Sequence, residues 1–380
     1  MAAAGPGAGG DRAAMFDCVI AGGTVIDGTR SPRFEADVGI ADGRIVAIGD
    51  LRGRPARRTF EARGHIVAPA FIAAHTHDDH ALLAQPGLAF KVSQGVTTVV
   101  TGNCGISAAP WRDGAPSPPP LDLVDRGQGP LHTSFAAYLD ALRAAPAAVN
   151  VAALVGHTTL RALTMDALDR PATDTEIAAM AAHVEEAIAA GAIGLSTGTF
   201  YPPAAAAPTE EIIAVGRAIA GGAGLYATHM RDEADQIMPA IDETLSIGRA
   251  LDCPVVISHH KLARPANFGR SAQTLAHLGQ AMRCQCVALD CYPYTAGSTM
   301  IRTDAGMLDM KVLIASSQPH PECAGRDLAD IAAEWGVARD EAARRLQPGS
   351  AIYFMMAEAD VQRALRDRQQ LGASWPSITR

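Results

Sequence analysis

The sequence predicts an α/β protein, a (β/α)8-type barrel preceded by a small β domain. Three observations lead there. From Phe71 onward, short apolar runs alternate with Ala-rich helical stretches, the pattern that builds a parallel sheet. The last three apolar runs recur at intervals near 30 residues, room for one strand and one helix per repeat. Each run also stays apolar until its last one to three residues, where a polar or metal-capable side chain appears. Chemistry offered at the carboxyl ends of successive strands describes a barrel with its site at the top face.

In chain order, residues 1–15 are an Ala/Gly-rich tract read as a disordered tail, without the basic-then-apolar pattern of a signal peptide. Residues 16–69 read as short strands: FDCVIAGGTVIDGT, ADVGIADGRIVAIGD and RTFEARGHIVAPA. Gly22-Gly23 and Asp42-Gly43 supply hairpin turn chemistry. The barrel domain is expected over residues 70–380. Its strands are FIAA before His75, TTVV before Thr101, VAALVG (151–156), IGLST (193–197), GLYATH (224–229), PVVISH (254–259) and CVALDC (286–291). One helix is well marked: Thr173 and Glu176 form a capping box, Ile177, Met180, Val184 and Ile188 make an apolar stripe, and Gly191 stops it. A doubly wound sheet is disfavoured, because no GxGxxG follows the first strand.

Composition narrows the function. Of 380 residues 48% are hydrophobic and only 19% charged, against a usual charged share of about 25%, so the chain has the means to build a large core. Thirty-two basic and 40 acidic side chains give 32 − 40 = −8, and the basic residues gather only briefly, between Arg52 and Arg58. That balance disfavours a nucleic-acid or membrane-surface role. No apolar run reaches the roughly 18 residues of a membrane span. The seven cysteines are odd in number and scattered, which reads as reduced thiols in the cytosol. Cys284, Cys286 and Cys291 lack the second Cys or His pair of a zinc knuckle and read as strand residues.

The sharpest local signal is His75-Thr76-His77, since residues i and i+2 of a strand share a side and can reach one ion above the barrel mouth. Cys104, His229 and His259 each end a different predicted strand, and a barrel gathers such ends. Cys104 sits in TGNCG, between glycines that permit a tight turn and close approach, which suits a ligand better than a packing thiol. Thiolate with imidazole favours zinc. His260 points away from its neighbour and receives no metal role. His157 is open between a contact beside the site and a core histidine.

These residues carry a resemblance. DCVIAGGTVIDGT, AAHTHDDHALLAQPGLAFKVSQGVTTVVTGNCGIS, LSTGTFYPPAAAAPTEE, YATHMRDEAD, ISHHK and LDCYPYTAGST, in that order from about Asp17 to about Leu365, resemble the D-aminoacylases, the N-acyl-D-amino-acid deacylases of the amidohydrolase superfamily. The resemblance implies a metal-dependent hydrolase barrel with a small N-terminal β-sandwich built from both chain ends. It implies zinc-dependent hydrolysis of the linear amide of small N-acyl-D-amino acids. Carried over by motif, His75 and His77 would hold a second, weaker metal position. Cys104, bridging, would join His229 and His259 at the tight zinc. Tyr201 in TFYPP, Lys261 in SHHK and Tyr292 in DCYPY would bind the substrate carboxylate; on residue type alone they read as rim aromatics and a solvated charge.

The pattern also departs from the family. Ala70 and Ala73 stand where APGFID would place a glycine and an aspartate. After IYFMMAEADVQRAL the chain runs RDRQQLGASWPSITR, without the GSDG whose aspartate is metal ligand and general acid/base, or the arginine that follows it. The expectation is a barrel short of its last strand, no assigned catalytic residue and impaired turnover. The alternatives are a catalytically incomplete chain and a cyclic-amide hydrolase of the hydantoinase or dihydroorotase kind. The second is weakened because GLSTGTFYPP offers no lysine to be carboxylated at the fourth strand.

Overall fold

The computed structural model describes residues 15–29, 31–112, 118–123 and 132–371, so the tail expected over 1–15 lies almost wholly outside the described residues. The chain divides into two compact units between Phe71 and Ile72.

The first unit is one five-stranded sheet: β1 (Phe16–Val25), β2 (Phe34–Ala41), β3 (Arg44–Gly49), β4 (Ala56–Glu61) and β5 (Ile66–Val67). The order is β3-β2-β1-β4, with β5 also pairing β1. Asp42 and Gly43 turn β2 into β3 with φ of 51° and 70°, the left-handed pair that a two-residue hairpin needs. Gly22-Gly23 does not turn the chain, contrary to the sequence reading. It lies inside β1, where the register against β2 slips between Ile20 and Gly23, and Asp37 Oδ1 accepts the Gly22 N–H at 2.7 Å. Its left-handed φ of 68° makes a bulge instead of a reversal.

The second unit is built on seven parallel strands: β6 (Phe71–Ala73), β7 (Val96–Thr101), β8 (Asn150–Gly156), β9 (Gly194–Gly198), β10 (Leu225–His229), β11 (Val255–Ile257) and β12 (Val287–Leu289). They neighbour one another in sequence order, and each coincides with one of the apolar runs read as strands. The result is a curled parallel sheet, with β6 and β12 at its edges among the described residues. Buried Leu154, Val155, Leu195, Tyr226, Val255, Ile257 and Val287 form its apolar body. The helix Asp174–Ala190 has the expected capping box at Thr173 and Glu176, and Gly191 ends it at φ 118°. Met180, Val184 and Ala187 are the face it buries.

After β12 comes a sheet that the sequence reading did not contain. Strands β13 (Gly297–Met300), β14 (Val312–Ser317) and β15 (Gly349–Tyr353) pair antiparallel in the order β13-β15-β14. Helices Leu328–Trp335 and Arg339–Leu346 accompany them around a separate cluster containing Ile314, Ile331, Leu346 and Tyr353. No described helix is long and apolar enough to cross a membrane.

Candidate active site and metal centre

The carboxyl ends of the parallel strands open on a cavity of about 410 Å³. Its walls include His75, His77, Cys104, Tyr201, His229, His259, Lys261 and Tyr292, all eight residues singled out from the sequence. Glu233, Asp290 and Thr299 of β13 also face it.

Cys104 reaches this cavity because the backbone after β7 is forced into an unusual path. Gly102, Cys104 and Gly105 have φ of 76°, 55° and 75°. Gly102 cannot be replaced without rearrangement, since a Cβ there would lie 1.9 Å from Leu154 O. Ser196 on β9 holds the turn from below: its Oγ accepts the Gly105 N–H at 3.0 Å and donates to Gly102 O. Asn103 donates to Val100 O at 2.9 Å. Buried Asp79 accepts from Gly102 N and Ala108 N at 3.3 and 3.4 Å, tying the loop after β6 to this turn. Burial pushes the Asp79 carboxyl up to about 6, against the opposing charge of His77 and these N–H groups.

The thiol meets two imidazoles edge on. Cys104 Sγ lies 3.3 Å from His75 Nε2 and 3.4 Å from His259 Nε2. Burial alone would keep the thiol protonated, but neighbouring His75, His259 and His229 hold it well below the ordinary thiol range. His75 shows the complementary effect. Burial opposes its charge, yet Cys104 and Asp290 outweigh burial and push the ring up to about 10. Asp290, just past β12, sits 3.4 Å from His75 Nδ1 and accepts the His259 N–H at 2.8 Å.

The HxH pair does not behave as a strand pair. β6 ends at Ala73, so both histidines lie in the loop beyond it. His75 is mostly buried and joins the thiol, whereas His77 is exposed and touches the group only through a ring contact to His75 at 5.5 Å. His229 is buried against Phe200, stacked at 4.9 Å, and its ring lies 4.3 Å from that of His259. Neither nitrogen of His229 makes a hydrogen bond of normal geometry, although Nε2 is 3.3 Å from Glu233 Oε2.

Glu233 is the functional candidate that sequence reasoning missed. It occupies the loop four residues after His229, in a charged run that reads as solvated surface, yet it is only 5% exposed. Burial opposes its charge, but Lys261, His229 and His259 overcome this and hold the carboxyl well below the usual range. Lys261, likewise read as a solvated charge, is buried with its Nζ 2.6 Å from Glu233 Oε1 and 6.0 Å from the centre of the Tyr292 ring. Tyr201 is buried and accepts a hydrogen bond from Thr299 Oγ1 at 3.2 Å. Burial raises both tyrosine hydroxyls above their ordinary range, so they remain neutral donors.

Two other readings resolve here. His260 turns away from the cavity and meets Thr274 Oγ1 at 3.0 Å. His157 belongs to the core: its Nε2 is 3.2 Å from Glu211 Oε1, in a buried network with Arg161.

The donor set fits a zinc ion. Ligand atoms of His75, Cys104 and His259 lie within 4.8 Å of one another, and so do those of His229, Glu233 and His259, which puts His259 in both groups. Soft sulfur with imidazole nitrogen is the chemistry zinc prefers, and a metal would satisfy one of the two unpartnered ring nitrogens of buried His229.

Comparison with known proteins agrees. A model of the amidohydrolase family matches residues 58–278, and a D-aminoacylase of Alcaligenes xylosoxydans xylosoxydans is 55% identical over 350 residues, covering 92% of this chain and 72% of that protein. The chain belongs to the D-aminoacylase family of amidohydrolases. Among solved structures, a D-aminoacylase described by the functional role of its binuclear metal centre, with one-metal activation and second-metal attenuation, superposes with a TM-score of 0.89. It is 55% identical and aligns over 92% of this chain and 74% of its own. The N-acyl-D-glutamate deacylase of Bordetella bronchiseptica, complexed with zinc and a phosphonate mimic of the tetrahedral intermediate, gives 0.87 at 45% identity over 93% and 74% of the two chains. Within this D-aminoacylase family scaffold, β9 carries Ser196 and Thr197 just before its last residue, Gly198, and holds no lysine, and the Ser196 hydroxyl is engaged by the Cys104 turn.

Proposed function

We propose that this chain is a zinc-dependent hydrolase that cleaves the linear amide of small N-acyl-D-amino acids to a carboxylate and a free D-amino acid. The observation that carries the reading is the meeting of Cys104 Sγ with His75 and His259 beside a buried Lys261 in one cavity. The preference for the D configuration is supported by the relatives, described as D-aminoacylase and N-acyl-D-glutamate deacylase.

In this reading Cys104, His229 and His259 would hold the tight zinc, and His75 with His77 would serve a weaker second position beside Cys104. Bound zinc supplies Lewis-acid polarisation and a water acidic enough to attack at neutral pH. The chain's own residues do the rest. Lys261 offers an ammonium to the substrate's α-carboxylate, and Tyr201 and Tyr292 add neutral hydroxyl donors, which fixes one end of the substrate and with it the amide's position. Phe200 and Tyr201 pack on His229 and shield that side from water. The cytosolic location inferred from the cysteine pattern belongs to the same proposal.

A cyclic-amide activity is less well supported, because the lysine expected at the end of the fourth barrel strand has no counterpart in β9. The test is metal analysis of the purified protein together with hydrolysis of a panel of N-acetyl-D- and N-acetyl-L-amino acids. Zinc with D-selective release of amino acid is expected; hydrolysis of hydantoins alone would overturn the reading.

A further inference from the structure

Glu233 stands between the metal-binding and carboxylate-binding parts of the cavity. One oxygen, Oε1, is 2.9 Å from His259 Nδ1 and 2.6 Å from Lys261 Nζ, while Oε2 is 3.3 Å from His229 Nε2. Its backbone carbonyl accepts the Ala263 N–H at 2.8 Å, so the loops after β10 and β11 are joined at this residue. Lys261 Nζ also lies 2.7 Å from His259 Nδ1. Two partners therefore compete for that ring nitrogen: a carboxylate, which requires N–H there, and an ammonium, which requires a lone pair.

The competition decides which nitrogen of His259 is free. When Glu233 takes the Nδ1 proton, the lone pair sits on Nε2, the atom 3.4 Å from Cys104 Sγ and directed at the metal position. Remove the carboxylate, and the ammonium at 2.7 Å donates to Nδ1 instead. The ring proton then moves to Nε2 and blocks the ligand atom. We propose that Glu233 is a positioning residue that holds the zinc-facing tautomer of His259 against Lys261 and, with the same carboxylate, places Lys261 for the substrate. This rests on the hydrolase reading above for the role of Lys261, whereas its zinc half stands on geometry alone.

The experiment measures zinc affinity by chelator competition for the wild-type chain and for Glu233→Gln, Lys261→Met and the double variant. Glu233→Gln should bind zinc about 10–100-fold more weakly, the usual cost of losing such a carboxylate partner. Lys261→Met should keep near-wild-type zinc affinity and raise KM for an N-acetyl-D-amino acid. The double variant should regain zinc affinity, because the competing ammonium is gone, while its KM stays high. A Glu233→Gln chain with wild-type affinity, or a double variant as weak as Glu233→Gln, overturns the proposal. If the Glu233 variants fail to fold, the imidazole ¹⁵N spectrum of wild-type metal-free protein decides instead: an Nε2–H tautomer at His259 overturns the proposal, and Nδ1–H supports it. Should zinc behave as expected while the wild-type chain hydrolyses no N-acyl-D-amino acid, the hydrolase reading fails and the positioning of His259 stands.

Discussion

Cys104 and His259 are 155 residues apart in the chain and 3.4 Å apart at Sγ and Nε2. No local interaction accounts for that approach; it follows from β7 and β11 ending at the same face of one curled sheet. His259 in turn backs onto Glu233, so thiol, imidazole and carboxylate form a chain of contacts directed into the cavity.

Cys104→Ala should therefore lose zinc more completely than His75→Ala or His77→Ala. The thiol touches both His75 and His259, whereas His77 is exposed and contributes only a ring contact. Elemental analysis after dialysis checks this. Full zinc retention by Cys104→Ala would remove the cysteine from the ligand set.

Ser196→Ala should destabilise the protein and weaken zinc binding together. The hydroxyl serves both Gly105 N–H and Gly102 O, and both groups would be left buried without partners. At about 1–3 kcal/mol for an unsatisfied group, a loss of about 2 kcal/mol lowers Tm by about 2–3 °C in a chain of this size. A Tm change with unaltered zinc affinity would show that the left-handed Cys104 backbone holds itself.

How much of this was legible in the sequence depended on the range of the interaction. The seven strands were readable because each is a short apolar run ending in a polar group, a signal contained in a few adjacent residues. The convergence of Cys104, His229 and His259 followed from barrel geometry once those runs were recognised. Glu233 was not readable: a glutamate in MRDEAD is indistinguishable from surface charge until the loop folds back onto Lys261 and His259. The sheet of β13, β14 and β15 was missed because its strands pair across intervening helices, leaving no hairpin signal to find. Gly22-Gly23 carried true information about positive φ but none about whether the chain turns or bulges.

The carboxylate clamp makes its own prediction. If Lys261, Tyr201 and Tyr292 bind the substrate as proposed, replacing its α-carboxylate by the methyl ester removes the charge they would meet. Charge-assisted hydrogen bonds contribute about 1.5–3 kcal/mol, so kcat/KM should fall about 10–150-fold. Lys261→Met should cut activity on the acid and leave activity on the ester nearly unchanged. Equal rates for acid and ester in the wild-type protein would sink the clamp.

Acid stability is governed by a buried network outside the cavity lining. Arg161 is fully buried, and its guanidinium is held by Glu211 Oε1 and by the carbonyls of Pro203, Leu168 and Arg170. Glu211 also meets His157 Nε2 at 3.2 Å and accepts the Ala172 N–H at 2.9 Å. Burial works against the ionised Glu211, but His157, Ala172 N–H and Arg161 outweigh it and bring its carboxyl down to about 2. Burial lowers the His157 ring below its ordinary value of 6.5, more than Glu211 raises it. Both depressed values act with the same sign. Below about pH 6.5 the unfolded chain protonates His157 more readily than the folded one, and stability begins to fall. Glu211 adds stability that is fully present above about 4.5 and is lost as pH drops from there toward about 2. Tm should therefore decline in two stages on acidification, the first near pH 6 and the second below pH 5. Glu211→Gln should abolish the second stage by imposing the loss at every pH, since it leaves a buried guanidinium without its counter-charge at a cost of about 3–5 kcal/mol. Calorimetry of both proteins from pH 3 to 8 measures this directly. A Glu211→Gln chain as stable as wild type at pH 7 would mean that the three carbonyls alone satisfy Arg161, and the acid transition would then have to be sought elsewhere.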